Sequence, residues 1–235
     1  MTPYPVVVPL HLADVSFPEG HPLAGGTGPV LGFAVRHHDG VLLFDTGVGV
    51  GHAEVERFYR PRVTPLDDAL AANGLAMAEV TAIANSHLHF DHCGGNTRFP
   101  GLMGYVQAAE LEAARQEDYT VQEWIGHGEL RFVPLEADAE TEVASGVVLV
   151  ATPGHTRGHQ SCVVATAAGP VVLAGQAVYG ADEWNGSTDP RDSGVPGAHD
   201  VLAYSESVHR LRRMDPIRVH FAHDLSVWEP PGPGG

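Results

Sequence analysis

Short apolar runs bounded by turn-forming residues recur along most of the chain, and this pattern predicts a protein built mainly from short β-strands. Nine such runs are PVLGFAVRH, VLLFDTG, VTAIANSH, GLMGYVQ, LRFVPL, VASGVVLVATPG, QSCVVAT, PVVLAG and IRVHFAHD. Gly, Pro, Asn and Asp lie between them, as expected where a chain reverses its direction. We expect hairpin turns at His38-Asp39-Gly40 and at Ala168-Gly169-Pro170.

Helical periodicity is confined to three stretches. The first is predicted to begin with Thr64 as its N-cap and Pro65 in the first helical position, and to end at Asn73-Gly74. The second covers roughly residues 107–117, and the third covers roughly residues 199–213. The third carries an apolar stripe made of Val201, Tyr204, Val208 and Leu211.

The order of these elements predicts the fold class. Hairpins come first, and helices lie between the later strands, in two similar halves. This order is typical of an α+β fold in which two facing β-sheets carry helices on their outer sides. No linker divides the sequence, so we expect a single domain over residues 1–235. Residues 1–28 are expected to form partly a loop or lid, and the Pro- and Gly-rich tail 229–235 is expected to be frayed.

Composition limits the partners that the protein can have. The formal net charge of −16 argues against nucleic acid and anionic membranes, which need a basic surface. Cys93 and Cys162 are too few for a disulfide framework, and no apolar stretch approaches the ~18 residues of a membrane span. The N-terminal segment shows no secretory signal. We therefore expect a cytoplasmic protein, a monomer or homodimer, that acts on a small molecule.

Residues 87–92 concentrate metal-binding side chains. The sequence HLHFDH directly follows the predicted buried strand VTAIAN. His87 and His89 are two residues apart on an extended segment, so both imidazoles point to the same side. The chain then turns at CGGN, so Asp91 and His92 are aimed at a neighbouring position. This density of ligands after an apolar strand favours two adjacent metal positions over a set of solvated loop residues.

Two further histidines lie after other predicted strands. His155 stands in a Gly-flanked turn after VASGVVLV, and His223 follows IRVHF. Three protein ligands and a water per ion is the arrangement of catalytic zinc, whereas structural zinc has four protein ligands. The predicted ligands are His87, His89 and His155 for the first metal, and Asp91, His92 and His223 for the second.

The motifs HLHFDH, TPGHTRGHQS, FDTG, LAGQA and FAHD, in this order, resemble the metallo-β-lactamase superfamily of metallohydrolases. Within it, the sequence is most similar to the N-acyl-homoserine lactone lactonase branch, over roughly residues 30–224. The resemblance implies a four-layer αβ/βα sandwich with two zinc ions at one edge. It also implies that a metal-bound hydroxide opens a lactone or cleaves a related ester or amide. Asp45 of FDTG would support the site from behind, although a simple strand-end turn carboxylate fits the sequence equally well.

One position departs from the family's pattern. Where the family has an aspartate that bridges both metals, this sequence has Gln176. A neutral amide supplies no bridging carboxylate, so we expect weaker binding of the second metal, and occupancy by one metal or by Fe, Mn or Co becomes an alternative. Branches that cleave β-lactams also lack the bridge and are hydrolytic, so Gln176 does not predict an inactive protein.

Other residues near the motifs have candidate roles. Tyr179 matches a tyrosine that lies near the scissile carbonyl in the lactonase branch, and the alternative is a packed aromatic residue. Asp91 would hold the second metal and relay a proton to the leaving group. We expect His159 to be a structural partner behind the ligands. Cys93 is expected to be a small buried residue rather than a ligand.

Substrate-contacting walls are expected to come from loops. The main candidates are Phe90, inside the histidine motif, and Trp184, in ADEWNGS. The segment 17–28 and the stretch around Tyr119 and Trp124 are further candidates. An apolar loop at 17–28 would suit an acyl chain, but it would equally suit packing on the core.

Two other functions remain open at this point. A mononuclear iron oxygenase on the same fold would keep His87, His89 and His155 around one ion. A non-catalytic module that senses a ligand would bind the small molecule without turnover. Metal content separates the oxygenase from the dizinc hydrolase, and an activity panel of lactones and esters separates the sensor from both.

Overall fold

The computed structural model describes residues 4–21, 23–137, 140–186 and 199–232. The strands are β1 (Val6–Ser16), β2 (Thr27–His37), β3 (Gly40–Phe44), β4 (Arg62–Val63), β5 (Val80–Ala84), β6 (Met103–Gln107), β7 (Arg131–Leu135), β8 (Thr141–Ala144), β9 (Val147–Ala151), β10 (Gln160–Thr166), β11 (Gly169–Leu173) and β12 (Arg218–His220). The helices are α1 (Ala53–Phe58), α2 (Leu66–Ala72), α3 (Phe90–Cys93), α4 (Ala108–Ala113), α5 (Ala181–Trp184) and α6 (Val201–Arg212).

The strands form two mixed sheets. Seven strands make the first sheet in the order β4-β1-β2-β3-β5-β6-β7, and five make the second in the order β12-β11-β10-β9-β8. In the first sheet β1, β2 and β3 are antiparallel, whereas β3, β5, β6 and β7 run parallel. In the second sheet β12 runs parallel to β11 and the other pairs are antiparallel. The predicted α+β class with two mixed sheets is confirmed.

The main core lies between the sheets. Phe33 and Phe44 from the first sheet pack in one buried cluster with Leu149 and Leu173 from the second. Strands with one face in solvent alternate between buried and exposed residues. That alternation is weak here, because helices also cover the outer faces of the sheets. Each sheet is therefore apolar on both sides near its centre.

Helices cover the outer face of each sheet. On the first sheet, α2 buries Leu66 and Leu70 against Leu10 and Ile83. On the second sheet, α6 buries its own apolar face, and the contributing residues are Tyr204, Val208 and Leu211. The order helix, sheet, sheet, helix is the predicted four-layer sandwich.

Two details of the predicted helices are wrong. The N-cap of α2 is Pro65 rather than Thr64, and no side chain caps the helix, because Pro65 is extended with ψ of 135° and the helical backbone begins only at Leu66. In α6 the N-cap is Asp200, whose carboxylate accepts the N–H groups of Leu202 and Ala203 at 3.0 Å. Val201 is 36% exposed, so the buried stripe begins one turn later than predicted.

The sequence pattern missed strand β1. Pro5 and Pro9 interrupt its apolar run and argue against a strand. In the structure Pro9 pairs with Phe33 of β2, and β4 pairs with β1 only at Ala13 and Asp14. Among the described residues, β4 therefore leaves the other edge of β1 unpaired at Pro9, and proline is tolerated at such an edge.

The expectations for the N-terminal loop or lid and for the frayed tail stay predictions. Within residues 1–28, β1 covers Val6–Ser16 and β2 begins at Thr27, and the described residues between these strands, 17–21 and 23–26, belong to neither. In the tail, Glu229 accepts hydrogen bonds from the Arg218 guanidinium, and residues 233–235 lie outside the described residues. Among the described helices, none combines the length and the hydropathy that crossing a bilayer requires. The single-domain assignment stays a prediction.

Candidate metal centre

The predicted ligands follow strands that end at one edge of the sandwich. His87 and His89 come after β5, at the carboxyl end of the parallel part of the first sheet. His155 follows β9 and His223 follows β12, both in the second sheet. Loops from the two facing sheets therefore meet over the seam between them, and their side chains converge there.

The first group brings three imidazole nitrogens together. Nε2 of His87 lies 3.0 Å from Nδ1 of His89. Nε2 of His155 lies 3.2 Å from each of these two atoms. Tetrahedral zinc with bonds of about 2.0–2.1 Å separates its nitrogen ligands by about 3.3 Å. The triangle of nitrogens therefore fits one metal ion, with His89 binding through Nδ1 and the other two through Nε2.

The second group contains one carboxylate and two imidazoles. Oδ2 of Asp91 lies 3.7 Å from Nε2 of His92 and 3.6 Å from Nε2 of His223. All three ligand atoms lie within 4.8 Å of one another. His92 is 0% exposed, and its Nε2 has no hydrogen-bond partner among the described residues. Buried polar atoms are almost always satisfied, so this free nitrogen fits a metal ligand.

Asp45 supports His92 from behind. Its Oδ1 accepts the Ser86 N–H at 2.7 Å, and its Oδ2 accepts the Ser86 hydroxyl at 2.7 Å and Nδ1–H of His92 at 2.9 Å. Because a carboxylate only accepts, Nδ1 of His92 carries a proton, which leaves Nε2, on the side of Asp91 and His223, as the atom that would bind metal. The backbone of Asp45 has φ of 65°, a left-handed conformation that Asp and Asn tolerate.

Other buried contacts orient the remaining ligands. Nδ1 of His223 donates to the carbonyl of Pro29 at 2.9 Å, which leaves its Nε2 free to bind metal. The turn after the histidine motif packs tightly on the loop that follows Asp45, since a side chain at Gly94 would collide with the backbone of Gly49. Gly94 N–H also donates to the carbonyl of Gly47 at 2.8 Å.

His159 holds the segment that carries Gln176. Its Nδ1 donates to the carbonyl of Thr152 at 3.1 Å, and its Nε2 accepts the backbone N–H of Gln176 at 2.9 Å. Both ring nitrogens are thus used within the protein, and His159 belongs to neither ligand group. Gln176 itself lines the cavity above the two groups.

Burial and charge set the protonation of the cluster. Burial and the neighbouring imidazoles hold the pKa of His87 and His155 well below the ordinary value, and burial lowers the pKa of His89 to about 4. These three are therefore neutral near pH 7, which is the form that binds metal. Burial also opposes protonation of His92, but the carboxylates of Asp91 and Asp45 outweigh it and raise its pKa to about 9. Metal binding at Nε2 of His92 would therefore release a proton near pH 7.

A cavity of about 620 Å³ opens over both groups. Gln176 and Tyr179 line it beside the ligands, and the Tyr179 ring stacks on His223 with ring centroids 5.5 Å apart. Phe90 also lines it and packs on Tyr59 at a centroid distance of 4.5 Å. The apolar wall of the cavity is formed by Val15, Phe17, Val55, Phe58, Tyr59 and Phe90.

Trp184 does not belong to this cavity, and its assignment as a substrate contact is corrected. It is 3% exposed and packs in the core with Tyr204 and Phe221. Its ring lies 5.5 Å from that of Trp228, and it is not among the described residues that line the cavity. The reason is that α5 turns this side chain inward. Trp124 is likewise buried, whereas Tyr119 lines the cavity.

Sequence reasoning missed two polar residues at the site. Ser86 connects Asp45 with the ligand His87, whose Nδ1 lies 3.0 Å from its hydroxyl oxygen. Its place beside His87 was the only signal. Glu110 is 0% exposed on α4 and accepts hydrogen bonds from both ligand-bearing loops of the first group. Nothing in the sequence distinguishes it from the exposed glutamates nearby.

Comparison with known proteins gives consistent matches. The family model described as Metallo-beta-lactamase superfamily matches residues 25–223. The chain is 34% identical over 216 residues to an N-acyl homoserine lactonase from a Bacillus species, which covers 84% of this chain and 82% of that protein. It is 32% identical over 217 residues to the N-acyl homoserine lactonase AiiA of Bacillus thuringiensis subsp. kurstaki, with the same coverage.

A solved structure resembles the whole fold. It is an N-acyl homoserine lactone hydrolase with the product N-hexanoyl-L-homoserine bound at its catalytic metal centre. The TM-score is 0.76 at 27% sequence identity, and the match covers 96% of this chain and 95% of the other.

Proposed function

The chain belongs to the metallo-beta-lactamase superfamily, and from this premise we propose that it is a metal-dependent hydrolase that opens N-acyl homoserine lactones or closely related lactones. The observation that carries the proposal is the pair of candidate ligand groups beside a cavity that is lined by members of both groups and by apolar side chains. The lactonases that the chain resembles support the choice of substrate class.

Two zinc ions are the proposed cofactors. The first would be held by His87, His89 and His155, and the second by Asp91, His92 and His223. Zinc bound in such a site supplies a Lewis acid and lowers the pKa of water to about 7. The short nitrogen–nitrogen distances support this assignment, as does the buried Nε2 of His92, for which the described part of the chain offers no hydrogen-bond partner of good geometry.

Tyr179 is the proposed hydrogen-bond donor to the lactone carbonyl. Burial and the charge of Asp91 raise its pKa to about 12, so its hydroxyl keeps its proton at neutral pH. The ring is fixed against His223 and lines the cavity. A fixed donor beside a carbonyl oxygen stabilises the negative charge that develops when the ring opens.

Asp91 is the proposed proton carrier for the leaving alkoxide. It lines the cavity and lies within 3.7 Å of both imidazoles of its group. Ring opening turns the ester oxygen into an alkoxide that needs a proton, and a carboxylate between nucleophile and leaving group can move one between them.

The apolar wall is the proposed site of the acyl chain. Phe17, Phe58 and Phe90 contribute aromatic surface to the lining of the cavity that also contains the candidate ligands. Each CH₂ of an acyl chain buried there contributes about 0.8 kcal/mol. Filling the cavity also excludes water from the reacting carbonyl, which strengthens the hydrogen bond from Tyr179.

Gln176 gives this site one carboxylate fewer than its family's pattern. The second group still offers three protein ligands, so the proposal keeps two metals. The missing negative charge lowers metal affinity, and the effect is expected mainly at the second group because the first is held by three imidazoles.

The test combines metal content with turnover. Protein loaded with zinc is expected to bind two ions per chain and to hydrolyse homoserine lactones. Turnover is measured from the proton that each ring opening releases. His89→Ala should abolish turnover, and His38→Ala, which changes an exposed histidine of the β2–β3 turn, should not. Absence of lactone hydrolysis by the fully loaded protein would refute the proposal, and one iron per chain would favour an oxygenase.

A further inference from the structure

A buried carboxylate outside both ligand groups joins the loops that carry the first group. Glu110 lies on α4 and is 0% exposed. A buried carboxylate is unfavourable unless hydrogen-bond donors replace water. In the part of the chain that the structure describes, three groups do so. They are the N–H of Leu88 at 2.8 Å, the hydroxyl of Thr156 at 2.7 Å and the hydroxyl of Tyr119.

The first two donors belong to different ligand loops. Leu88 lies between His87 and His89, whereas Thr156 directly follows His155. His87 and His155 are 68 positions apart in the sequence, and their loops extend from different sheets. Oε1 of Glu110 accepts from one loop and Oε2 from the other. A single side chain therefore spans the seam between the sheets beside the three nitrogens.

Close packing at the same point fixes α4 against the loop of His155. Gly158 lies so near Glu110 that a side chain at position 158 would collide with the backbone of Glu110. This contact is independent of the hydrogen bonds made by the carboxylate. The loop that carries His155 is therefore held both by the backbone of α4 and by the Glu110 side chain.

The third donor connects Glu110 with the cavity wall. The ring of Tyr119 lies 4.9 Å from that of His89, and Tyr119 lines the cavity. Burial and the charge of Glu110 raise the pKa of Tyr119, so its hydroxyl stays a donor. The hydrogen bond to Glu110 thus keeps the ring of Tyr119 against a metal ligand.

We propose that Glu110 is a positioning residue that sets the relative placement of His87, His89 and His155 by joining their two loops, and that fixes Tyr119 beside them. Glu110 is not among the described residues that line the cavity, so it acts through these neighbours. The effect on turnover rests on the proposed function, whereas the effect on metal binding does not.

The test replaces Glu110 by its amide. In Glu110→Gln one accepting oxygen becomes an NH₂ group, which faces at least one donor across the seam. A matched control is Glu112→Gln on the same helix, where the exposed carboxylate forms a surface ion pair with Arg115 at 2.7 Å. Chelator competition and the visible spectrum of the cobalt-substituted protein report the metal site, and circular dichroism reports folding.

We expect Glu110→Gln to bind metal about tenfold more weakly and to change the cobalt spectrum, since supporting residues behind ligands commonly contribute that much. Its kcat should fall more than its KM rises. Glu112→Gln should match the unmodified protein in all measurements. A folded Glu110→Gln protein with unchanged metal affinity and cobalt spectrum would overturn the inference.

Two milder variants keep the inference testable if Glu110→Gln fails to fold. Thr156→Val removes only the donor beside His155, and Tyr119→Phe removes only the phenol donor. Each is expected to weaken metal binding a few-fold, and normal affinity in both would overturn the inference. A loaded protein that shows these metal effects but hydrolyses no lactone would refute the proposed function and leave the role of Glu110 intact.

Discussion

Replacing Asp45 by Asn is expected to weaken the second metal group without breaking the fold. Asn tolerates the left-handed backbone at this position, where φ is 65°. Its Oδ1 can still accept the Ser86 N–H, which donates to Oδ1 of Asp45 at 2.7 Å in the unmodified protein. Its NH₂ group, however, replaces the oxygen that accepts Nδ1–H of His92 at 2.9 Å. Two donors then face each other in a site that excludes water.

His92 has two ways to relieve this conflict, and both impair metal binding. It can move the proton to Nε2, which places N–H where a metal must bind, or it can rotate away from Asp91 and His223. A hydrogen bond to a charged buried group contributes about 1.5–3 kcal/mol. Loss of such support behind a metal-bound histidine costs about 10–100-fold in affinity, or about 1.4–2.8 kcal/mol. These two estimates agree in size.

The assay is a stepwise zinc titration against a chelator, with thermal unfolding of the metal-free protein measured in parallel. Asp67→Asn is the control, because that carboxylate is 54% exposed and pairs with Arg98 on the surface. Such pairs contribute about 0–1 kcal/mol. We expect Asp45→Asn to weaken the second binding step and Asp67→Asn to weaken neither. If the second step of Asp45→Asn stayed within twofold of the unmodified protein, the tautomer argument would be refuted.

Three further substitutions test the site. Tyr179→Phe should lower kcat by about 10²–10³ with little change in KM, as expected for loss of one donor to a developing oxyanion; steady-state kinetics with equal kcat would contradict this role. Gln176→Asp should tighten binding of the second zinc about tenfold, because a carboxylate adds Coulombic attraction that an amide lacks. Combined with Asp45→Asn, it should reduce the loss of zinc affinity that Asp45→Asn causes. Unchanged zinc titration curves would contradict both expectations. Phe90→Ala should raise KM for long-chain acyl lactones about tenfold, because an apolar side chain of this size contributes about 1.5–3 kcal/mol on burial. The KM for short-chain lactones should change little. An equal rise in KM for both substrates would place the acyl chain elsewhere.

The sequence predicted the layers and the six candidate ligands because both depend on local patterns. An apolar run followed by His87-Leu88-His89 indicates a strand with candidate metal ligands at its carboxyl end. The apolar runs before His155 and His223 indicate the same arrangement. Strand ends meet at sheet edges, so residues far apart in sequence were expected to converge. The ligand atoms were not predictable, since the choice of Nδ1 for His89 depends on backbone direction within the turn.

Contacts between distant segments account for the residues that were missed or misassigned. Trp184 and Phe90 are both aromatic residues next to functional motifs, and only the packing of α5 shows that one belongs to the core. Glu110 and Glu112 stand on the same short helix. Their different roles depend on Leu88 and Thr156, whose positions follow from the pairing of the sheets and not from the helix sequence.

The second ligand group depends on negative charge that Asp45 supplies from behind His92. With Gln176 neutral, Asp91 is the one carboxylate among the six candidate ligands. The other carboxylate that contacts His92 is Asp45, on the Nδ1 side of the imidazole. It would act on a bound metal only through the hydrogen bond of 2.9 Å between its Oδ2 and Nδ1 of His92. That hydrogen bond makes the imidazole a stronger electron donor and partly compensates for the missing bridging carboxylate. A carboxylate at position 176 would lessen this dependence, so the effect of Asp45→Asn measures how far this site depends on charge placed behind its ligands.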